Sequence, residues 1–183
     1  MQISLKRLNP ESLHDFLEYF DHRAFLNDDD WAGCYCQAYL NPPETNAEDV
    51  FGEGKARQAA CDRVAAGSMD GYLAYQGDRV VGWCAAASSL MFQALPGADE
   101  KVARILCFNV DPDLRNQGLA SAILDLVIAD LSSRNFEAIE AAPRAEDFSE
   151  RSFQGTPEMF EKRGFEKVTE LETGQYLMRK YLD

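Results

Sequence analysis

The segment Phe108-Asn109-Val110-Asp111-Pro112-Asp113-Leu114-Arg115-Asn116-Gln117-Gly118-Leu119-Ala120-Ser121 holds the residue types and spacing best suited to chemistry. An apolar, strand-like run stops at Asp111-Pro112, a loop containing one glycine follows, and an apolar-faced helix begins. The first N–H groups of a helix lack intrahelical partners, and the helix dipole leaves partial positive charge there. A pyrophosphate accepts those hydrogen bonds. Gly118 removes a side chain where backbone must approach phosphate oxygens, Ala120 keeps the first turn slim, and Arg115 adds a cation. The plainer alternative is an ordinary strand-to-helix connection with a chance glycine. The loop is neither a Walker sequence, since no Gly-Lys-Ser/Thr follows, nor Gly-x-Gly-x-x-Gly.

Glu140 sits inside the apolar run Ala138-Ile139-Glu140-Ala141-Ala142, which makes it a candidate general base or a solvent-facing residue on a one-sided strand. The five cysteines are scattered, and Cys34-Tyr35-Cys36 has no second pair or histidine to complete a tetrahedral metal site. They read as reduced thiols, and no metal is expected. Asp28-Asp29-Asp30 could attract a cationic substrate, but three consecutive acids are more simply a solvated loop. Trp31, Tyr35 and Tyr39, four apart, would form one helical stripe, better suited to core packing than to a substrate wall. His14 and His22 have no acidic or thiol partner and receive no role.

These residues need elements to position them. The chain has 183 residues, 46% hydrophobic and 27% charged. That is one domain's worth, able to bury about 70% of its unfolded surface without disulfides or metal. With 18 basic against 31 acidic residues, the net charge is −13. Nucleic acid is a poor partner for such a chain, because phosphate neutralisation needs a basic face. No apolar run approaches the roughly 18 residues that span a bilayer, and the N-terminus has no apolar signal core. A cytoplasmic protein with no membrane partner is expected. Periodicity predicts a strand over 3–7, helices over 12–23 and 55–66, strands over 71–76, 79–87 and 104–110, and a long helix from Leu119. A strand over 136–142, a short helix over 157–163 and strands over 165–171 and 175–182 follow. Residues 27–53 read as a long irregular segment, a length often functional. The order β-α-α-β-β-β-α-β-α-β-β describes a mixed α/β sheet in a single domain, 1–183.

Arg115-Asn116-Gln117-Gly118-Leu119-Ala120 resembles the acetyl-CoA-binding motif of the GNAT acetyltransferase superfamily, Gln/Arg-x-x-Gly-x-Gly/Ala after a central strand. Met159-Phe160-Glu161-Lys162-Arg163-Gly164-Phe165 is similar to the family's second hallmark, an aromatic on a short helix followed by Gly-Phe. The resemblance implies a GNAT-like, mostly antiparallel sheet flanked by helices, with its central strands, 104–110 and 136–142, splayed apart. The pantetheine arm of the co-substrate acetyl-CoA would enter that gap and pair with backbone near Phe108 and Val110. Backbone of Gln117 to Ser121, with Arg115 and Asn116 beside it, would take the pyrophosphate. The thioester would lie near Cys107 and Phe108.

The implied function is an N-acetyltransferase acting on a primary amine of a small molecule or peptide. A cationic amine is favoured by the acidic balance, and a homodimer is within what the family allows. Specificity would lie in 27–53, on the substrate side, and in 142–156. Two departures matter. Phe160 stands where many members have a tyrosine that protonates the leaving thiolate, and Arg104 stands where some have a glutamate base. Both departures suit an alternative, a non-catalytic acyl-CoA-binding sensor.

Overall fold

A computed structural model describes residues 2–26, 32–144 and 153–182. Asp28, Asp29, Asp30 and Trp31 lie outside them. The chain opens with strand β1 (Ser4–Arg7) and helix α1 (Leu13–His22), which buries Phe16, Tyr19 and Phe20 at amphipathic spacing. Part of the segment expected to be irregular is ordered as a 3-10 turn, Ala38–Leu40, and a short helix, α2 (Ala47–Phe51). Glu48 and Asp49 in the first turn of α2 favour it through the dipole, and Val50 anchors it. Five residues are too few to show periodicity, which is why the sequence does not betray this helix.

Helix α3 (Lys55–Ala65) leads into the hairpin of β2 (Tyr72–Gln76) and β3 (Arg79–Ser88). Strand β4 (Val102–Val110), helix α4 (Leu119–Ser132) and strand β5 (Ala138–Ala141) form a parallel crossover. The expected strand over 136–142 is only four residues long. Helix α5 (Pro157–Glu161) is also shorter than expected. The Thr156 hydroxyl accepts from the Met159 N–H at its start, and Pro157 occupies its first turn. Strands β6 (Glu166–Glu170) and β7 (Tyr176–Tyr181) finish the fold.

The seven strands make one sheet in the order β1-β2-β3-β4-β5-β7-β6. Every neighbouring pair is antiparallel except β4–β5. One face carries a cluster built from α1, α3 and the segment around Tyr35, including Phe16, Phe20, Leu73 and Trp83. The other carries α4 and α5, with Ile123, Leu124, Val127 and Leu131 packed on Ile105, Ile139 and Met178. The apolar stripe expected of α4 is thus the face it buries.

Two irregularities in β4 shape the middle of the sheet. First, β4 pairs with β5 only through Val102↔Ala138, Ala103↔Ile139, Arg104↔Glu140 and Ile105↔Ala141. Leu106 to Val110 continue without it, so the strands part. Second, Ala85 pairs with Cys107 but Ala86 pairs with Ile105, leaving Leu106 as an extra residue. This bulge turns both Leu106 and Cys107 toward the α1 face, while Ile105 and Phe108 face α4. No helix among the described residues is long and apolar enough to cross a membrane.

Candidate functional site

The loop between β4 and α4 is held from below by Asp111, which is fully buried. One of its oxygens accepts from the Asp113 N–H at 3.1 Å, while the other meets Arg23 and Arg79. Above this anchor Asn116 and Gly118 adopt left-handed backbone, φ 60° and 77°. Gly118 precedes α4 with no side-chain cap, and the first intrahelical bond runs from the Ala122 N–H to the Gly118 carbonyl. The N–H groups of Leu119, Ala120 and Ser121 therefore lack helical partners.

They open onto a cavity of about 340 Å³. Of the residues expected around the cofactor, Phe108, Val110, Arg115, Asn116, Gly118, Leu119, Ala120 and Ser121 line it. Gln117 does not. Its side chain turns back to the Asp113 carbonyl at 3.3 Å. Arg115 forms no ion pair with any described residue, in a chain of net charge −13. A Cβ placed on Gly118 would meet nothing within 4 Å, so the space in front of the helix is open.

The far wall comes from residues the sequence did not single out for this purpose: Phe153, Gly155, Thr156 and Met159. Gly155 has φ 76°, and a Cβ there would stand 3.1 Å from Phe160. On the near side, the Asp111 N–H donates to the Val81 carbonyl at 3.0 Å. By the alternation of an antiparallel ladder, the N–H and C=O of Phe108 and Val110 point the other way, into the gap that β5 leaves. The Phe108 N–H is satisfied there by the Phe153 carbonyl at 2.6 Å. The edge of β4 is thus partly covered by the chain itself.

Glu140 is neither solvent-facing nor free. It is fully buried, with Oε2 2.9 Å from Arg104 Nε and Oε1 3.1 Å from Arg179 Nε. Arg104 also donates to the carbonyls of Leu95 and Pro96. Both oxygens of this carboxylate are taken by guanidinium donors, and Glu140 is not among the residues lining the cavity. Phe160 is fully buried too, within 6.2 Å of the Phe108 ring and 5.2 Å of the Phe165 ring between centroids. It faces the cluster under α4 rather than the cavity, whose α5 residue is Met159.

The aromatic stretch before residue 40 is not a helix. Tyr35 and Cys36 have φ of 42° and 54°, the left-handed region that breaks helical continuation. Tyr35 and Tyr39 both pack on the α1-face cluster. Cys36 Sγ lies 3.5 Å from Cys107 Sγ and accepts from Trp83 Nε1 at 3.0 Å. The hydrogen bond to Cys107 and burial push the Cys36 thiol up, and the described residues contain no group of side chains arranged to hold a metal.

Tyr39 reaches the mouth of the β4–β5 gap. Its hydroxyl accepts from Gln154 Nε2 at 3.3 Å and from Gln175 Nε2 at 3.1 Å. Sequence spacing placed this tyrosine on a helical stripe and could not show what it meets, since Gln175 is 136 positions away.

A sequence-family model described as acetyltransferase (GNAT) family matches residues 35–165. No curated protein matches the sequence significantly. Among solved structures, a GNAT-family protein from Desulfovibrio desulfuricans is similar with a TM-score of 0.60 and 15% identity over 100% of both chains. The PaiA N-acetyltransferase of Thermoplasma acidophilum, in complex with coenzyme A, gives 0.57 and 13% over 99% of each. The ribosomal-protein-S18-alanine N-acetyltransferase of Escherichia coli gives 0.53 and 14%, over 100% of this chain and 95% of that one. At these identities the likeness is one of fold.

Proposed function

Since the chain belongs to the acetyltransferase (GNAT) family, we propose that it moves the acetyl group of acetyl-CoA onto the nitrogen of a primary amine. One observation carries this reading. The uncapped N-terminus of α4 and the cation of Arg115, which forms no ion pair with a described residue, share a cavity with the β4 edge that β5 abandons. An anion and an extended amide chain are the two things such a cavity would complement. In this reading the N–H groups of Leu119, Ala120 and Ser121, with Arg115, hold the diphosphate. The backbone groups of Val110 and the Phe108 carbonyl, which point away from β3, pair with the amides of the pantetheine arm. The Phe153 carbonyl already does for the Phe108 N–H what an amide of the arm would do.

A thioester supplies an activated acyl group whose leaving thiol titrates near 8.5. What the protein must add is position: a neutral amine held against the acyl carbon is worth orders of magnitude by itself. The amine would arrive from the α1 face, the side to which the bulge turns Leu106 and Cys107. The charge of −13 steers a cationic acceptor toward the molecule. Glu140 has no part as a base in this reading, because both its oxygens are engaged. Its role is to hold the strands where they part.

A buried Phe160 without a hydroxyl favours a second reading, a non-catalytic acyl-CoA-binding sensor. Mixing the protein with acetyl-CoA and a panel of primary amines, while following free thiol, separates the two. The proposal expects thiol release that depends on the amine. Stabilisation by CoA, about 2.7 kcal/mol at 100 times its dissociation constant, without thiol release from any amine would establish the sensor instead. No stabilisation at all would overturn both.

A further inference from the structure

Both lips of the β4–β5 gap reach toward one hydroxyl. On the β5 side, Gln175 Nε2 donates to the Ala142 carbonyl at 2.7 Å, one residue beyond the last paired position of β5. The same nitrogen donates its other hydrogen to Tyr39 Oη at 3.1 Å. The Gln175 Oε1 accepts from the Thr173 hydroxyl, so the orientation of this amide is fixed from both ends. On the β4 side, Phe153 binds Phe108 through its carbonyl, and the next residue, Gln154, donates to Tyr39 Oη at 3.3 Å. The tyrosine is carried on the 3-10 turn Ala38–Leu40 and secured through its own carbonyl, which accepts from the Ala94 N–H.

A hydroxyl has two lone pairs and one proton. Here both lone pairs receive amide N–H groups, and the proton has no acceptor among the described residues. A half-buried O–H with its acceptor sites filled is therefore left with its proton to donate. Resting on the acetyltransferase reading above, we propose that Tyr39 is the general acid that protonates the departing CoA thiolate.

The step balances within the reactants. The amine lone pair forms the C–N bond, and the C–S bond breaks with its electron pair on sulfur. Tyr39 Oη gives its proton to that sulfur and becomes a phenolate, which the two amide donors stabilise. The proton shed as the amine nitrogen becomes an amide restores the phenol. Burial raises Tyr39 above its ordinary value, Gln154 and Gln175 oppose this, and Cys107 and Arg144 are the titratable and charged groups that also act on it. The phenol is consequently protonated at neutral pH. Nothing at Phe160 competes for the role, since that ring carries no proton to give.

Two measurements test the assignment. With Tyr39→Phe, CoA affinity should stay within twofold of the unaltered protein, while turnover at saturating acetyl-CoA falls at least tenfold, as for loss of a general acid. The alkaline limb of the pH–rate profile should vanish with it. Turnover within threefold and an unchanged profile would overturn the proposal and leave the acetyltransferase reading standing. The second measurement needs no turnover. Ultraviolet titration of the phenolate, taken as the difference between the unaltered protein and Tyr39→Phe, should shift on binding CoA and not on binding desulfo-CoA, which lacks the sulfur. Equal titrations with both ligands would show that the hydroxyl does not face the sulfur. Failure of thiol release with every amine would instead sink the acetyltransferase reading.

Discussion

Arg104 Nε lies 2.9 Å from Glu140 Oε2, across the third of the four residue pairs that join β4 to β5. One pair later the strands separate. The same carboxylate takes Arg179 from β7, so three adjacent strands are tied together at the root of the gap.

Glu140→Gln should therefore act as a structural lesion. Both Arg104 and Glu140 have side chains 1% exposed, and removing one charge leaves the guanidinium buried without a counter-ion. Breaking such a pair costs about 3–5 kcal/mol. Urea unfolding should read a loss in this range, with turnover per folded molecule reduced far less. Unchanged stability with a tenfold drop in turnover would return Glu140 to the role of base.

Gly118→Trp should abolish CoA binding without unfolding the protein. The open space in front of Gly118 is solvent-facing, so a large side chain finds room in the free protein. It would occupy the position expected for the diphosphate, although φ 77° adds about 1–2 kcal/mol of backbone strain. Calorimetric titration with CoA measures the effect. Affinity at the level of the unaltered protein would mean that the phosphates bind elsewhere.

The sequence made legible what is local in the chain. The α4 stripe and the Arg115–Ala120 loop are contiguous, so spacing alone exposed them, and eight of nine expected cofactor residues line one cavity. The far wall was not legible, because Phe153 and Gly155 reach β4 only through tertiary packing. Tyr39 lay in a segment read as irregular, where the spacing of Trp31, Tyr35 and Tyr39 pointed to core packing alone, and no sequence pattern announces the left-handed turn at Tyr35 and Cys36. The Arg104–Glu140 pair did leave a signal. Opposite charges inside two apolar runs are how a buried ion pair appears in sequence.

Phe160→Tyr should destabilise the protein by about 1–3 kcal/mol, the range for a buried hydroxyl lacking a partner. Phe160 is fully buried, and its ring neighbours are Phe108 and Phe165. Thiol release per folded molecule should not change. A gain in rate at undiminished stability would show that position 160 does reach the thioester.

Tyr35 gives the protein a stability loss on the alkaline side. Burial and a hydrogen bond to the Asp21 carboxylate push its hydroxyl up to about 12, while Arg57 holds Asp21 ionised. Between pH 10 and 12 the unfolded chain releases this proton and the folded chain keeps it. The unfolded state then binds fewer protons, so stability falls as pH rises through that window. Tyr35→Phe removes the proton from both states. The variant should be less stable at pH 8 by about 1 kcal/mol, the worth of one hydrogen bond. That deficit should shrink above pH 10 and be gone near pH 11, because the raised hydroxyl costs the unaltered protein about 1.4 kcal/mol per pH unit across this window. Urea unfolding of both proteins at pH 8, 10 and 11.5 measures it. A deficit constant across the series would show that the Tyr35–Asp21 hydrogen bond does not raise the hydroxyl, and the left-handed turn that presents Tyr35 to α1 would then need another anchor.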